Sequence, residues 1–482
     1  MKKRNIYQNQ SQELLSLFEQ AANNAKVMCV PIDYAKKDHV VMFCNGYGDI
    51  LRKPFSVKNS PAGVDFLTDQ VIRSCRQRAI SEKHVFFGGE DVGSFADNFV
   101  STLRCQGWLV AGVNAHEAKT QRENLQASTD RIDLMGIAKS LLNRRANCSP
   151  AQSGIYLNMR TVVRHRKKLV DITTEVRNRI HAVVDRLFPG FLNESNSGIS
   201  PFSKSSLWLM QERFSAPQIR RRRRPTLIET LRRLGTRKPE CTADKLQQYS
   251  TQVLKPPQEY VHMLQLSLTQ HVKHFCCLQE SIGQLEKEIA VNLAQTQGAF
   301  LTSVRGIGIV LAAGVSAEIG NPYEQKPLNN LVSYCGIIPR VKQTGGPQGE
   351  TKTGKVAKRC NRILKNYGVQ SASHLGLHGP ADLMADYKRR DAAGQHADFG
   401  MARRYLRMAM CLMRTSQIYL PSGLRKAQSQ IEQRADYYLM AWPYLRDKWQ
   451  KLEALETAFK ADHPLGQWRK IVQQFYGIKL TL

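Results

Sequence analysis

The sequence predicts a mixed α/β domain over residues 1–150, followed by a chain that is almost entirely helical. Three features point there. Short apolar runs alternate with helical stretches up to about residue 113, a helix opens on Asp130 and Asp133, and two long apolar seams step by three and four residues after 154. The expected fold class is therefore α/β plus all-α.

The first apolar run, 27–32, ends at Asp33, and a polar turn (Lys36-Lys37-Asp38) leads to a second run at 40–44. This reads as strand, turn, strand, with Asp33 at the tip of the first strand. Asn45-Gly46-Tyr47-Gly48 supplies the next turn, and 50–57 fits a third strand. Residues 66–75 read as a helix. Val85-Phe86-Phe87 is a buried strand leading through Gly88-Gly89 to Glu90, and a helix at 95–103 precedes a strand at 108–113.

In α/β folds ligands bind beyond the carboxyl ends of strands, where Asp33 and Glu90 both fall. Asp130 and Asp133 are three residues apart, so on a helix they share a face and raise each other's pKa unless a cation sits between them. Asp also favours a first helical turn without any ligand. Asp91 could serve in place of Glu90. Taken together, Asp33, Glu90, Asp130 and Asp133 are catalytic and metal-ligand candidates for Mg²⁺ or Mn²⁺, an all-oxygen set suited to a two-metal phosphodiester site.

From 154 to 188 a seam runs Leu169, Thr173, Val176, Ile180, Val183 and Leu187, and Pro189-Gly190 ends it. A second runs Val261, Leu264, Leu268, His271, Phe275, Leu278, Ile282, Leu285 and Ile289. Both are coiled-coil-like, and such helices pair as a hairpin or meet those of another subunit. His271 is read as a polar register-setter, with metal ligation as the alternative. The domain from 151 to 298 thus carries an insertion at 190–257, rich in Ser, Pro and Arg. Within it Arg220, Arg221, Arg222, Arg223 and Arg224 are expected to form a solvated arm that grips phosphate, or else a flexible solubilising insertion.

A third domain, 299–420, opens with Gly306-Ile307-Gly308, a tight turn or a phosphate-facing turn at a helix start. The Gly-rich loop after Pro339 carries hydroxyls at Thr344, Thr351 and Thr353 and runs toward a basic helix with Lys355, Lys358, Arg359, Arg362 and Lys365. A hydroxyl beside clustered cations suits a nucleophile on a phosphodiester, or a phosphate grip. The tail, 421–482, reads as helical with Trp442, Trp449 and Trp468 as packing anchors.

Charge sets the partner class. Lys+Arg 70 against Asp+Glu 40 gives +30, and phosphate polyanions reward dispersed cations. An anionic membrane surface is the competitor, but no lipidation signal or apolar run of membrane-spanning length is present. The basic start leads into Gln-rich sequence rather than a signal peptide's apolar core. The 11 cysteines show no CxxC pair, which argues against a zinc site or a secreted disulfide framework; a cytoplasmic protein is expected.

The order Asp33, Glu90-x-x-Gly93-x-Phe95, Asn114 and Thr129-Asp130-Arg131-Ile132-Asp133 resembles the DEDD transposases of insertion-sequence family one hundred and ten, bridge-RNA-guided recombinases related to the Piv invertases. Gly306-x-Gly308, Ala317-Glu318-Ile319-Gly320, Tyr334-Cys335-Gly336, Pro339 and Lys358-x-x-Asn361-x-x-Leu364 resemble the same family's second domain. The resemblance covers roughly 27–190 and 258–420. It implies a RuvC-like, RNase H-fold domain binding metal through Asp33, Glu90, Asp130 and Asp133, and a coiled-coil hairpin supporting a dimer or tetramer. It also implies a helical domain with a nucleophilic serine, composite sites shared between subunits, donor and target DNA, and a structured guide RNA. The implied setting is bacterial and nucleoid-associated. Thr344 stands where the family has its serine. The hydroxyl is kept, while the β-methyl crowds the attack.

Overall fold

The computed structural model describes residues 10–90, 95–122, 129–146, 148, 154–212, 214–324, 328–343, 351–356, 360–421, 430–460 and 462–482, with backbone alone at 328–330, 339–343, 351–356 and 430. The chain divides into two compact units, Met1–Ala151 and Gln152–Leu482.

The first unit is built on a five-stranded sheet. Its elements are α1 (Gln12–Ala21), β1 (Met28–Asp33), β2 (Asp38–Asn45), β3 (Ile50–Lys58), α2 (Pro61–Arg78), β4 (Val85–Glu90), α3 (Asp97–Cys105), β5 (Leu109–Val113), α4 (Ala115–Thr120) and α5 (Asp130–Leu142). The strand order is β3-β2-β1-β4-β5, with β1–β2 and β2–β3 antiparallel and β1–β4 and β4–β5 parallel. This mixed sheet fits the RuvC-like expectation. Alternation along the strands divides two cores. Met28, Val30, Ile32 and Phe87 face Val64, Leu67, Val71, Phe99 and Leu103 of α2 and α3. Cys29, Cys44, Phe86 and Ala111 face Leu14, Leu17 and Phe18 of α1 and Leu134, Ile137 and Leu141 of α5.

Helix α1 was not among the expected elements, although Ser11 caps it and Leu14, Leu17 and Phe18 have the helical spacing of a buried stripe. Gly88 and Gly89 were expected to lead out of a strand, but both lie inside β4. They are small because the sheet is crowded on both faces. A Cβ at Gly88 would come 2.4 Å from Leu141 Cδ2, and one at Gly89 would come 2.2 Å from Tyr34 Cε2.

The second unit begins with α6 (Gly154–Leu187), and α12 (Gln258–Ala294) lies antiparallel along it. Arg166 Nε donates to Glu286 at 2.9 Å, Arg177 stacks on Phe275 and Arg186 on Tyr260, so residue numbers rise on one helix as they fall on the other. Thr173, Val176, Ile180 and Leu187 are buried as their spacing predicts, but Val184 is buried more deeply than Val183. The two helices thus pair within one chain. His271 is half-buried, its pKa lowered by burial and by the charge of Arg179.

Residues 190–257 are not a loose arm. They fold as α7 (Glu194–Ser197), α8 (Lys204–Gln211), α9 (Ala216–Arg221), α10 (Arg224–Arg233) and α11 (Pro239–Gln252). Phe188, Phe191, Leu209, Phe214, Ile219, Leu227, Leu231 and Leu246 form a core with Val184, Leu264 and Leu268. The charge run masked this: five arginines dominate the composition, while the apolar residues around them supply a helical face.

Next come α13 (Ile309–Ile319), α14 (Leu328–Cys335), β6 (Pro339–Gln343), β7 (Thr351–Val356), α15 (Arg362–His378), α16 (Ala381–Ala392), α17 (Ala397–Thr415), α18 (Gln430–Gln450), α19 (Leu455–Ala458) and α20 (Pro464–Tyr476). The tail joins the same core, with Trp442, Trp449 and Trp468 buried beside Phe300, Tyr405 and Leu406. No helix among the described residues is long and apolar enough to cross a membrane.

A carboxylate ties α16 to α17. Asp386 accepts from Arg389, from Arg404 at 2.8 Å, and pairs with Arg390 at 3.2 Å. Burial alone would raise its pKa, but these guanidinium groups outweigh it and hold the carboxyl at about 2. A depressed folded pKa means the stabilisation is complete above the unfolded value of about 3.9 and is lost as pH falls through 2. Unfolding midpoints measured from pH 5 down to 2 should therefore fall less steeply in Asp386→Asn than in the wild type.

Candidate functional site

Asp33 closes β1 and Glu90 closes β4. The strands are parallel with Ile32 opposite Gly89, so the two carboxylates leave the sheet side by side at its carboxyl edge. Val113, at the end of β5, pairs with Glu90, and Asn114 follows as the N-cap of α4, its Oδ1 accepting from His116 N at 3.0 Å. Thr129 caps α5 by accepting from Ile132 N at 3.3 Å, which places Asp130 and Asp133 in the first turn, where the helix dipole favours negative charge. Because α5 packs on β1 through Leu134, Ile137 and Leu141, its acidic first turn comes to the strand ends.

Asp33 lies within electrostatic range of the other three acids. Asp33 is pushed up to about 6, first by burial, then by the charges of Asp133, Asp130 and Glu90, with Arg122 partly offsetting them. Glu90 is also raised, by burial most of all; Arg122 opposes this and Asp133 adds to it. Arg122 is the site residue that sequence reading missed. Its Nε lies 2.9 Å from Asp133 Oδ1, and no local pattern in the sequence singles it out. Among the described residues, no three His, Cys, Asp or Glu side chains are drawn close enough to hold a metal ion as they stand. The donor chemistry nonetheless suits a hard cation: an all-carboxylate set in which Asp33 and Glu90 are raised by burial and then by neighbouring negative charge. Asp91 lies outside the described residues.

In the second unit, Thr344, the candidate nucleophile, lies outside the described residues, as do Lys358 and Arg359. The backbone on either side of Thr344 forms an antiparallel hairpin, Gln343 opposite Thr351 and Pro339 opposite Val356, where a Gly-rich loop was expected. Lys355 therefore lies on β7 rather than on the basic helix. Arg362 opens α15, and Lys365 follows on the same helix with its ammonium over the Phe399 ring.

The root of this hairpin is fixed by a buried network that reading the motifs did not reveal. Glu318, 3% exposed, receives Arg164 at 2.7 and 3.0 Å and pairs with Arg160 at 3.4 Å. Asn361 Nδ2 donates to Glu318 at 2.7 Å and to Tyr334 Oη at 2.9 Å, while its backbone N–H donates to Tyr334 O at 2.8 Å. Asn361 Oδ1 also caps α15. Tyr334, before the hairpin, and Asn361, after it, thus bond to each other, and Asn361 ties the pair to the Glu318 carboxylate. Burial would raise the Glu318 pKa, but Arg164, Arg160 and Asn361 bring it below the ordinary range.

Gly306 has φ +88 and turns the chain into α13, with Gly308 as N-cap and open space around it. From the tail, Lys448 Nζ donates to Thr302 O and Ile307 O, both at 2.9 Å, and burial lowers its pKa to about 8. Of the arginine run, Arg220, Arg221, Arg223 and Arg224 are exposed and Arg222 is half-buried. Arg222 stacks on Trp208 and donates to Glu212 O, and Arg224 makes a two-pronged pair with Asp244 at 2.6 and 2.9 Å.

An α/β unit with acids at its strand ends, joined in one chain to a helical unit, is the architecture expected of a DEDD-type transposase. Comparison agrees: residues 30–189 match a DEDD transposase model, and residues 298–379 match the model described as Transposase IS116/IS110/IS902 family. The chain belongs to this family of transposases. It is also similar to a "Probable family 20 transposase" of Pseudomonas aeruginosa, 29% identical over 98 residues. That alignment takes in 20% of this chain and 28% of the relative's length.

Proposed function

We propose that the protein is a DNA transposase and recombinase that cuts and rejoins phosphodiesters, using Asp33, Glu90, Asp130 and Asp133 with Thr344 as hydroxyl nucleophile, under the guidance of a structured RNA. The observation that carries this reading is the parallel register of β1 and β4, which sets Asp33 beside Glu90 at the sheet edge that α5 approaches with Asp130 and Asp133. Those four residues would hold Mg²⁺ or Mn²⁺. When bound, such an ion supplies charge stabilisation for phosphate oxygens. The chain's own part is to supply oxygen donors, a nucleophile and cations for the backbone.

In the transfer step the Thr344 Oγ1–phosphorus bond forms as the bond from phosphorus to one sugar oxygen breaks. The threonine gives up its proton, and the departing oxygen takes one. Attack on the adduct by a hydroxyl of the second strand forms the new phosphodiester as the phosphorus–Oγ1 bond breaks, the incoming hydroxyl losing its proton and Thr344 regaining one, which completes the exchange. Donor and target DNA and the guide RNA are held by the exposed Arg220, Arg221 and Arg223, with smaller parts for Arg222 and Arg224, whose charges are already engaged. Gly306, Gly308, Lys355, Lys358, Arg359, Arg362 and Lys365 add phosphate contacts, and the protein works as a homo-oligomer, a dimer or tetramer.

Expressing the gene with its native flanking DNA and sequencing the nucleic acid that co-purifies tests the guide. A discrete structured RNA from the flank supports it, whereas heterogeneous RNA, or DNA alone, removes it. Thr344→Ala should form no protein–DNA adduct, and Thr344→Ser, which lacks the crowding methyl, should form it faster than the wild type on a denaturing gel. Cleavage that survives Thr344→Ala without an adduct would instead mark a nuclease using water.

A further inference from the structure

The carboxylate patch already carries a cation of its own. Arg122 follows α4, its Nε lies 2.9 Å from Asp133 Oδ1, and the two side chains are only 13% and 18% exposed. The seat is closely packed. Gly136, three residues beyond Asp133 on α5, faces the Arg122 stem, and a Cβ there would come 3.0 Å from Arg122 Cγ and 2.6 Å from Ala118 O. A surface ion pair needs no such seat and contributes little. A guanidinium packed among acids offsets repulsion that would otherwise oppose folding, and it acts on Asp33 and Glu90 as well as on Asp133.

We propose that Arg122 is the resident counter-cation of the carboxylate face, holding Asp133 in the metal-free protein and yielding it when a divalent ion binds. This rests on the reading of Asp33, Glu90, Asp130 and Asp133 as a cation site. Two positive charges cannot share one carboxylate at close range without mutual repulsion, so the guanidinium and the ion compete. Arg122 thereby sets the cation concentration at which the site fills, and keeps the acidic patch folded below it. It is a positioning residue, acting through Asp133.

The test uses full-length protein and needs no catalytic assay. Thermal unfolding in chelator is measured for the wild type, Arg122→Gln, Arg122→Lys, and Arg122→Gln combined with Asp133→Asn. Manganese binding is then followed by calorimetry. In chelator, Arg122→Gln should unfold at a lower temperature, Arg122→Lys near the wild type, and the double variant should regain part of the loss because one repelling charge is gone. Mn²⁺ should bind Arg122→Gln about tenfold more tightly than the wild type. An unchanged midpoint in chelator, or Mn²⁺ binding to Arg122→Gln no tighter than to the wild type, overturns the proposal. If Mn²⁺ binds none of these proteins, the cation-site reading falls, and displacement with it. The chelator series decides the counter-cation role separately. If Arg122→Gln does not fold, Arg122→Met, which keeps the packed stem without the charge, carries the manganese comparison, and equal affinity there overturns the displacement.

Discussion

Asp33→Asn should abolish strand exchange, by about a thousandfold or more, while binding of nucleic acid survives. The amide keeps the size and most of the packing of the carboxyl at the end of β1 but removes one anionic oxygen donor from the set. Asp33 is raised to about 6 by burial first and then by the charges of Asp133, Asp130 and Glu90. Losing its charge relieves repulsion, so the variant should fold at least as stably as the parent. Strand-exchange assays beside gel-shift titrations check this. Parallel loss of binding would show that Asp33 supports the fold or the nucleic-acid surface rather than the chemistry.

Glu318→Ala should lower stability by about 3 kcal/mol, the lower end for breaking a buried ion pair. The side chain itself is fully buried, whereas its partners Arg160 and Arg164 are 26% and 41% exposed and can reach water once it is gone. Asn361 loses an acceptor at the same time, so the loss extends to the cap of α15 and to the hydrogen bonds with Tyr334. Urea unfolding should show a lower midpoint at unchanged slope. Because the Glu318 carboxyl is held below its ordinary range, the wild-type advantage should persist at neutral pH and shrink as pH falls through the folded pKa. An unchanged midpoint would mean that the hairpin root is held elsewhere.

Much of this was legible in residues alone. Strands with a period of two, or apolar throughout, announce themselves locally, so β1, β2, β3, β4 and β5 stand close to where the pattern put them. The same holds for the seams that became α6 and α12. Asp33 and Glu90 were recognisable because each directly follows an apolar run, and Asp130 and Asp133 because their spacing places them on one face of a capped helix. In 190–257 the five arginines dominate the composition and mask the apolar periodicity that folds the segment as helices. The β6–β7 hairpin was hidden because glycine and polar residues read as loop, and nothing local reveals that two such stretches pair.

What the sequence by itself determined is the succession of β1 to β5 and of the two long helices, the family and the acidic residues that define the candidate site, since all of these rest on local spacing and residue type. Tertiary structure alone decided who meets whom. The register of β1 against β4 sets Asp33 beside Glu90, Gly136 admits Arg122 to Asp133, and the buried carboxylate of Glu318 gathers Arg160, Arg164 and Asn361. These contacts join residues far apart in the chain. Their energy depends on burial and distance, two quantities that exist only once the chain has folded.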